Sequence, residues 1–186
     1  MMKRNNFPFS AVLGLNHAKT AILIVLVNPR AGGLLISGPR GIGKSTLMRS
    51  TQELIERPWR DIPVSVTEDR LFGTIDTEKA IYSGQKKLYP GIINEADQGV
   101  LYLDDANLLR EDLLDSILNI AEVGAYQLER DGLSLRCDTS FTVIAAINPE
   151  SGMLSGACLD QFGLFVNVDN IHHENTRVEI LKRTIS

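Results

Sequence analysis

The stretch Gly38-Pro39-Arg40-Gly41-Ile42-Gly43-Lys44-Ser45 constrains this chain more than any other, because its glycines, lysine and hydroxyl residue fall at the spacing GxxxxGK[ST]. The residues before it, 33–37, are short, nearly all apolar and of strand type. Those after it, 44–57, have helical character up to Pro58. A strand that turns through glycines into a helix leaves backbone N–H groups converging on one point with no Cβ in the way. The helix N-terminus adds partial positive charge there. Such a point suits a phosphate group: Lys44 is then placed for the outer phosphates and Ser45 offers a hydroxyl to a hard cation. A glycine-rich turn that merely contains Lys-Ser needs neither the strand before nor the helix after.

Two further apolar runs end in polar residues. Val100-Leu101-Tyr102-Leu103 is followed by Asp104-Asp105, and residues 141–147 are followed by Asn148-Pro149. In a sheet of parallel strands these ends share one edge with the glycine loop. Asp104 would hold Mg2+ through water, Asp105 would act on the attacking water, and Asn148 would touch the terminal phosphate or orient that water. The bland reading of the acids is a solvated loop, and Asn-Pro alone is a common turn. Their order after the glycine loop gives them weight. The three apolar runs predict the centre of the sheet. Helices are predicted at 44–57, at 111–123 with Gly124 as its stop, and at 16–27 ending at Asn28-Pro29. The alternation predicts an α/β fold, a parallel central sheet flanked by helices. Two insertions interrupt it: 126–136, where Asp131-Gly132 predicts a type I′ hairpin, and 74–91, with Ser83-Gly84 as a candidate turn.

With 186 residues, the chain is expected to form one domain. A net charge of −4 gives no whole-domain drive toward nucleic acid or anionic membrane. The longest apolar run, residues 21–27, is too short to span a bilayer and the start of the chain has no signal-type segment, so the expectation is a cytoplasmic protein. Cys137 and Cys158 lack CxxC or His partners and read as free thiols. Adjacent His172 and His173 do not make a metal site. Trp59, Tyr82 and Tyr89 are too scattered for a stacking site and read as packing.

Taken together, these residues resemble the AAA+ ATPase subunits of magnesium chelatase and their cobalt-chelatase-like and MoxR-like relatives. The resemblance covers nearly the whole chain. It runs through Phe7-Pro8-Phe9-Ser10, Val27-Asn28-Pro29, residues 33–46, Asp69-Arg70-Leu71-Phe72-Gly73-Thr74-Ile75-Asp76, Tyr89-Pro90-Gly91 and residues 99–109. Glu129-Arg130-Asp131-Gly132, Asn148-Pro149-Glu150 and residues 159–164 continue it. The resemblance implies a P-loop NTPase fold with two β-hairpin insertions, residues 1–186 forming the AAA+ nucleotide-binding core, with the C-terminal helical lid not present in this chain. It implies ATP and Mg2+ as cofactors. Gly38, Pro39, Arg40, Gly41, Ile42, Gly43, Lys44, Ser45 and Thr46 would bind ATP, and Ser45 and Asp104 the Mg2+. Lys44, Asp104, Asp105 and Asn148, the last as sensor 1, would be catalytic.

The same resemblance implies a hexameric ring with itself or a related subunit, a larger chelatase or von Willebrand A-type partner protein, and metal insertion into a tetrapyrrole. Departures from the family pattern bear on hydrolysis. Asp105 stands where most AAA+ proteins have Glu, Gln161 where the family has the arginine that reaches a neighbour's γ-phosphate, and Ser155-Gly156 where it has Arg-Pro. Three other readings remain open at this level: a non-hydrolysing nucleotide-binding scaffold subunit, a MoxR-like chaperone ATPase and, with least support, a small-molecule P-loop kinase.

Overall fold

Leu34, Leu35, Ile36 and Ser37 are all buried, as a strand covered on both faces requires. In the computed structural model, which describes residues 7–75, 88–130, 133–169, 178–180 and 182, they form the second-innermost strand of a five-stranded parallel sheet. The elements run in chain order as α1 (Asn16–Val27), β1 (Leu34–Ser37), α2 (Lys44–Gln52), β2 (Trp59–Ile62), α3 (Glu68–Phe72), β3 (Gly73–Ile75), β4 (Leu88–Pro90) and α4 (Ile92–Glu95). They continue as β5 (Val100–Leu103), α5 (Glu111–Val123), β6 (Ala125–Arg130), β7 (Leu133–Asp138), β8 (Thr142–Ile147), α6 (Gly156–Asp160) and β9 (Leu164–Asn167). The sheet order is β2-β5-β8-β1-β9. The three strands expected at its centre are its three inner strands.

Side chains alternate between the two faces, and each face has its own core. Leu34 and Ile36 of β1, Val100 and Tyr102 of β5, and Ile144 and Ala146 of β8 pack with Ala18, Ile22 and Val25 of α1 and Leu47 and Met48 of α2. On the other face Leu35, Leu101, Leu103, Val143 and Ala145 meet Leu113, Leu114, Ile117 and Leu118 of α5. The apolar i, i+1, i+4, i+5 spacing in α5 is thus the stripe that covers the sheet. Gly124, at φ +77°, ends α5 in the left-handed conformation, and its N–H donates to Ile120 O.

Helix α2 is shorter than the sequence predicts, ending at Gln52 rather than Arg57. Within it the hydroxyls of Ser50 and Thr51 both donate to Leu47 O, a side-chain competition with the helix ladder that works against continuation. The described strands of both insertions lie outside the five-stranded sheet. β6 and β7 pair antiparallel with Arg130 opposite Leu133, while Asp131 and Gly132, where the type I′ turn is predicted, lie outside the described residues. β3 and β4 pair antiparallel at the base of the other insertion. Ser83-Gly84, Tyr82 and the histidine pair also lie outside the described residues. Cys137 and Cys158 are free and buried, and Trp59 packs its ring against Tyr102. Among the described residues no helix is long and apolar enough to cross a membrane, and no cluster of His, Cys, Asp and Glu is grouped as a metal site would be.

Candidate nucleotide site at the carboxyl edge of the sheet

The chain leaves β1 with β8 on one side and β9 on the other, then crosses to β2 at the far edge. That reversal opens a crevice at the carboxyl ends of the strands, the usual place for a ligand in an open α/β sheet. The loop at 38–43 fills this position. Its first residue is fixed to the neighbouring strand by Gly38 N–H donating to Ile147 O at 3.2 Å. A side chain on Gly38 would overlap Val168 and Ile42, so close packing excludes one. Gly41 and Gly43 are glycine for another reason: their φ values, +82° and +92°, lie in the left-handed region, and little surrounds them. Gly43 leads straight into α2, whose first turn carries no acidic residue and no side-chain cap. The first N–H groups of that helix therefore point out of it without an internal acceptor.

Lys44 opens α2 and is 7% exposed. Its ammonium donates to Gly38 O at 2.6 Å and Pro39 O at 2.8 Å, which holds the charge against the loop. Burial lowers its pKa; the negative charges of Asp105 and Asp104 oppose that shift, and the Arg40 charge adds to it. One residue on, Ser45 Oγ donates to Asp104 Oδ2 at 3.0 Å, spanning α2 and the end of β5. Tyr102 donates to the other oxygen, Oδ1, at 2.9 Å. Burial, then the Asp104 charge and hydrogen bond, push the Tyr102 phenol far above its ordinary pKa. Asp104 is thus gripped on both oxygens by neutral donors.

Asp105 adopts a left-handed conformation, φ +50°, and begins the turn Ala106–Leu108. Its carboxylate lies 4.0 Å from the Arg40 guanidinium, and both side chains are substantially exposed, so the pair is weak in itself. Asn148 is 2% exposed and leads from β8 into the turn Pro149–Ser151. Its Oδ1 accepts from Glu150 N–H and its Nδ2 donates to Ser151 Oγ, both at 3.2 Å. Asn107, which sequence reasoning passed over, donates to Asn148 O at 3.2 Å and Gly152 O at 3.0 Å and so ties the acidic loop to the Asn148 turn. Gln161 ends α6, and its Nε2 donates to Ala157 O at 3.4 Å.

The residues present fit a nucleoside triphosphate with Mg2+. The loop offers left-handed glycines and helix N–H groups, Lys44 supplies the buried charge, and the Ser45–Asp104 pair is the oxygen donor set that Mg2+ prefers. With strand order, loop and acids in place, the fold is that of a P-loop NTPase. Residues 33–161 match the family described as AAA domain (dynein-related subfamily), and the chain belongs to it. Within that family it is similar to the magnesium-chelatase 38 kDa subunit of Cereibacter sphaeroides, 36% identical over 210 aligned positions that cover 95% of this chain and 63% of the relative. A magnesium-chelatase subunit ChlI homolog from Methanocaldococcus jannaschii is 33% identical, covering 98% of this chain and 60% of that one. Among solved structures, one of the complex between subunits BchI and BchD of magnesium chelatase superposes with a TM-score of 0.82 at 36% identity, covering 97% of this chain and 66% of that one. The chain spans less than two thirds of these relatives. Family membership implies use of a nucleotide and Mg2+.

Proposed function

We propose that this chain is the ATP-binding core of a magnesium-chelatase-type AAA subunit, in which binding and hydrolysis of ATP drive insertion of Mg2+ into a tetrapyrrole by a partner. The observation that carries the proposal is the Ser45–Asp104 pair beside buried Lys44 at the mouth of the glycine loop, in a chain 36% identical to a magnesium-chelatase subunit. Backbone N–H groups of Gly41, Ile42, Gly43, Lys44, Ser45 and Thr46 donate to phosphate oxygens, with Pro39 and Arg40 shaping the loop. Lys44 exchanges the Gly38 and Pro39 carbonyls for β- and γ-phosphate oxygens. Ser45 and Asp104 hold Mg2+, which when bound offsets charge on the phosphates. Asp105 draws a proton from the attacking water, and Asn148 senses the γ-phosphate once Nδ2 leaves Ser151. The subunit works in a ring, with itself or a related subunit, that engages a larger chelatase or von Willebrand A-type protein.

Both halves of the hydrolytic machinery are weak in this chain. Asp105 reaches one methylene less far than glutamate, and Gln161 cannot serve as the arginine finger, which is worth about 10³- to 10⁵-fold in P-loop enzymes. The expected behaviour is firm, Mg2+-dependent ATP binding with slow turnover by the chain alone. A fluorescent ATP analogue titrated with Mg2+ against wild type and Lys44→Ala, with phosphate release followed in the same samples, tests this. Lys44→Ala should weaken binding about 30-fold, the loss of about 2 kcal/mol of charge-assisted hydrogen bonding. Equal affinity in the two proteins, or no binding by wild type, defeats the proposal; brisk turnover by wild type alone defeats the account of Asp105 and Gln161.

A further inference from the structure

Asp104 has two carboxylate oxygens, and their partners differ in kind. Oδ2 faces Ser45 on the phosphate side, whereas Oδ1 accepts from Tyr102 on the strand behind it. Tyr102 stands two residues before Asp104, so strand periodicity puts both side chains on one face of β5. That face is packed by α1 and α2, and Tyr102 is 5% exposed within it. Trp59 of β2 rests against the phenol ring, with centroids 5.9 Å apart, and its own Nε1–H is engaged by Asp61 Oδ1 at 2.8 Å. The ring of Tyr102 is therefore fixed by its neighbours. A phenylalanine would satisfy that packing; what it would lose is the hydroxyl, which donates to Asp104 and also lies beside the Ser45 hydroxyl.

We propose that Tyr102 is a positioning residue: its hydroxyl, donated to Asp104 Oδ1, fixes the carboxylate rotation that presents Oδ2 to Ser45 and to the Mg2+ that accompanies the nucleotide. The inference rests on the proposed ATP site and adds a residue to it. A carboxylate on a strand end turns about its terminal torsion through a broad, shallow profile. With one oxygen held from behind, only a narrow range remains, and the ordering cost has been met before the cation arrives. Without the hydroxyl, Ser45 alone restrains the group from the side that must also meet the cation.

The test separates nucleotide capture from Mg2+ dependence. Affinity for a fluorescent ATP analogue is measured in EDTA, and then the Mg2+ midpoint of the enhanced binding is measured at fixed analogue, for wild type, Tyr102→Phe, Trp59→Phe, Asp104→Asn and the Tyr102→Phe/Asp104→Asn double variant. Tyr102→Phe should bind as wild type in EDTA and need about tenfold more Mg2+, the lower end of what losing a carboxylate's outer partner costs a metal site. Trp59→Phe, which keeps the hydroxyl, should keep the wild-type midpoint. The double variant should respond as Asp104→Asn does if the hydroxyl sets the Mg2+ midpoint by positioning that carboxylate and not through its neighbour Ser45. An unchanged midpoint in Tyr102→Phe, an equal loss with and without Mg2+, a shift in Trp59→Phe as large as in Tyr102→Phe, or additive effects in the double variant each overturn the inference. Wild type that binds no analogue under either condition overturns the ATP site itself and this inference with it, whereas the other failures leave the ATP site standing.

Discussion

Asp104 and Asp105 are neighbours in sequence with opposite circumstances. Asp104 is held on both oxygens by Ser45 and Tyr102, while Asp105 sits in a left-handed turn, 4.0 Å from the Arg40 guanidinium and in the field of the Lys44 ammonium. A group held so loosely gains from length, since a shortfall of about 1 Å in reach can cost about 10²-fold in rate. Asp105→Glu is therefore expected to raise turnover, by about 100-fold at most, with ATP affinity unchanged. Phosphate release under single-turnover conditions measures this, and a variant that binds as before yet turns over no faster removes Asp105 from the hydrolytic step. Lys44 and Ser45 were legible from sequence because the loop spacing places them between a strand and a helix, and Asp104 because it ends an apolar run that follows the loop in a parallel sheet. Tyr102 and Asn107 were not singled out. Tyr102 hid inside an apolar strand, although its i−2 relation to Asp104 was a readable signal. Asn107 acts through Asn148 and Gly152, a contact between segments that no local pattern reports.

At the scale of elements, the start of β9 is set by a close backbone approach at Gly163. Gly163 N–H donates to Gly32 O at 2.8 Å, and Leu164 N–H to Gly33 O at 3.1 Å, which lays β9 along β1. A Cβ on Gly163 would overlap the Ala31 carbonyl, a backbone atom that cannot swing aside. Gly163→Ala should cost about 3 kcal/mol, lowering Tm by about 6–12 °C in a domain of this size. Thermal unfolding followed by Trp59 emission reads the shift; a Tm within a degree of wild type would mean the two segments can part freely. β9 also shows where sequence reading stops. Its Leu164-Phe165-Val166 run is as apolar as the start of β1, but Phe165 is 55% exposed and Leu164 and Val166 are only partly covered, so its place at the sheet edge is not marked locally. β2, Trp-Arg-Asp-Ile with exposed central residues, is masked in the same way. Edge strands take their identity from the neighbour they pair with, which a local pattern does not contain. The end of α2 is a milder case, where Pro58 marked the latest possible stop while the Ser50 and Thr51 hydroxyls favoured an earlier one.

For the molecule as a whole, the question is whether its site is completed by a second copy. Within one chain Gln161 ends α6, where its amide turns back to Ala157 O. If the subunit works in a ring, the residue at 161 acts on a neighbour's nucleotide, and a mixing experiment distinguishes this from action within the chain. A Lys44→Ala/Gln161→Arg chain binds ATP poorly yet carries a guanidinium where the finger is expected, so alone it should hydrolyse almost nothing. Wild type alone should hydrolyse slowly. Mixed, the two should exceed the sum of their separate rates, because the arginine of one serves the intact loop of the other. The gain should grow with protein concentration and approach, but not pass, the about 10³-fold lower bound for an arginine finger. It should also vanish when the added chain is Lys44→Ala alone, which has the same damaged loop and the native glutamine. Strictly additive rates, with stimulation appearing only when Gln161→Arg is placed in the chain whose Lys44 is intact, would assign residue 161 to its own subunit's site and remove the physical reason for a ring.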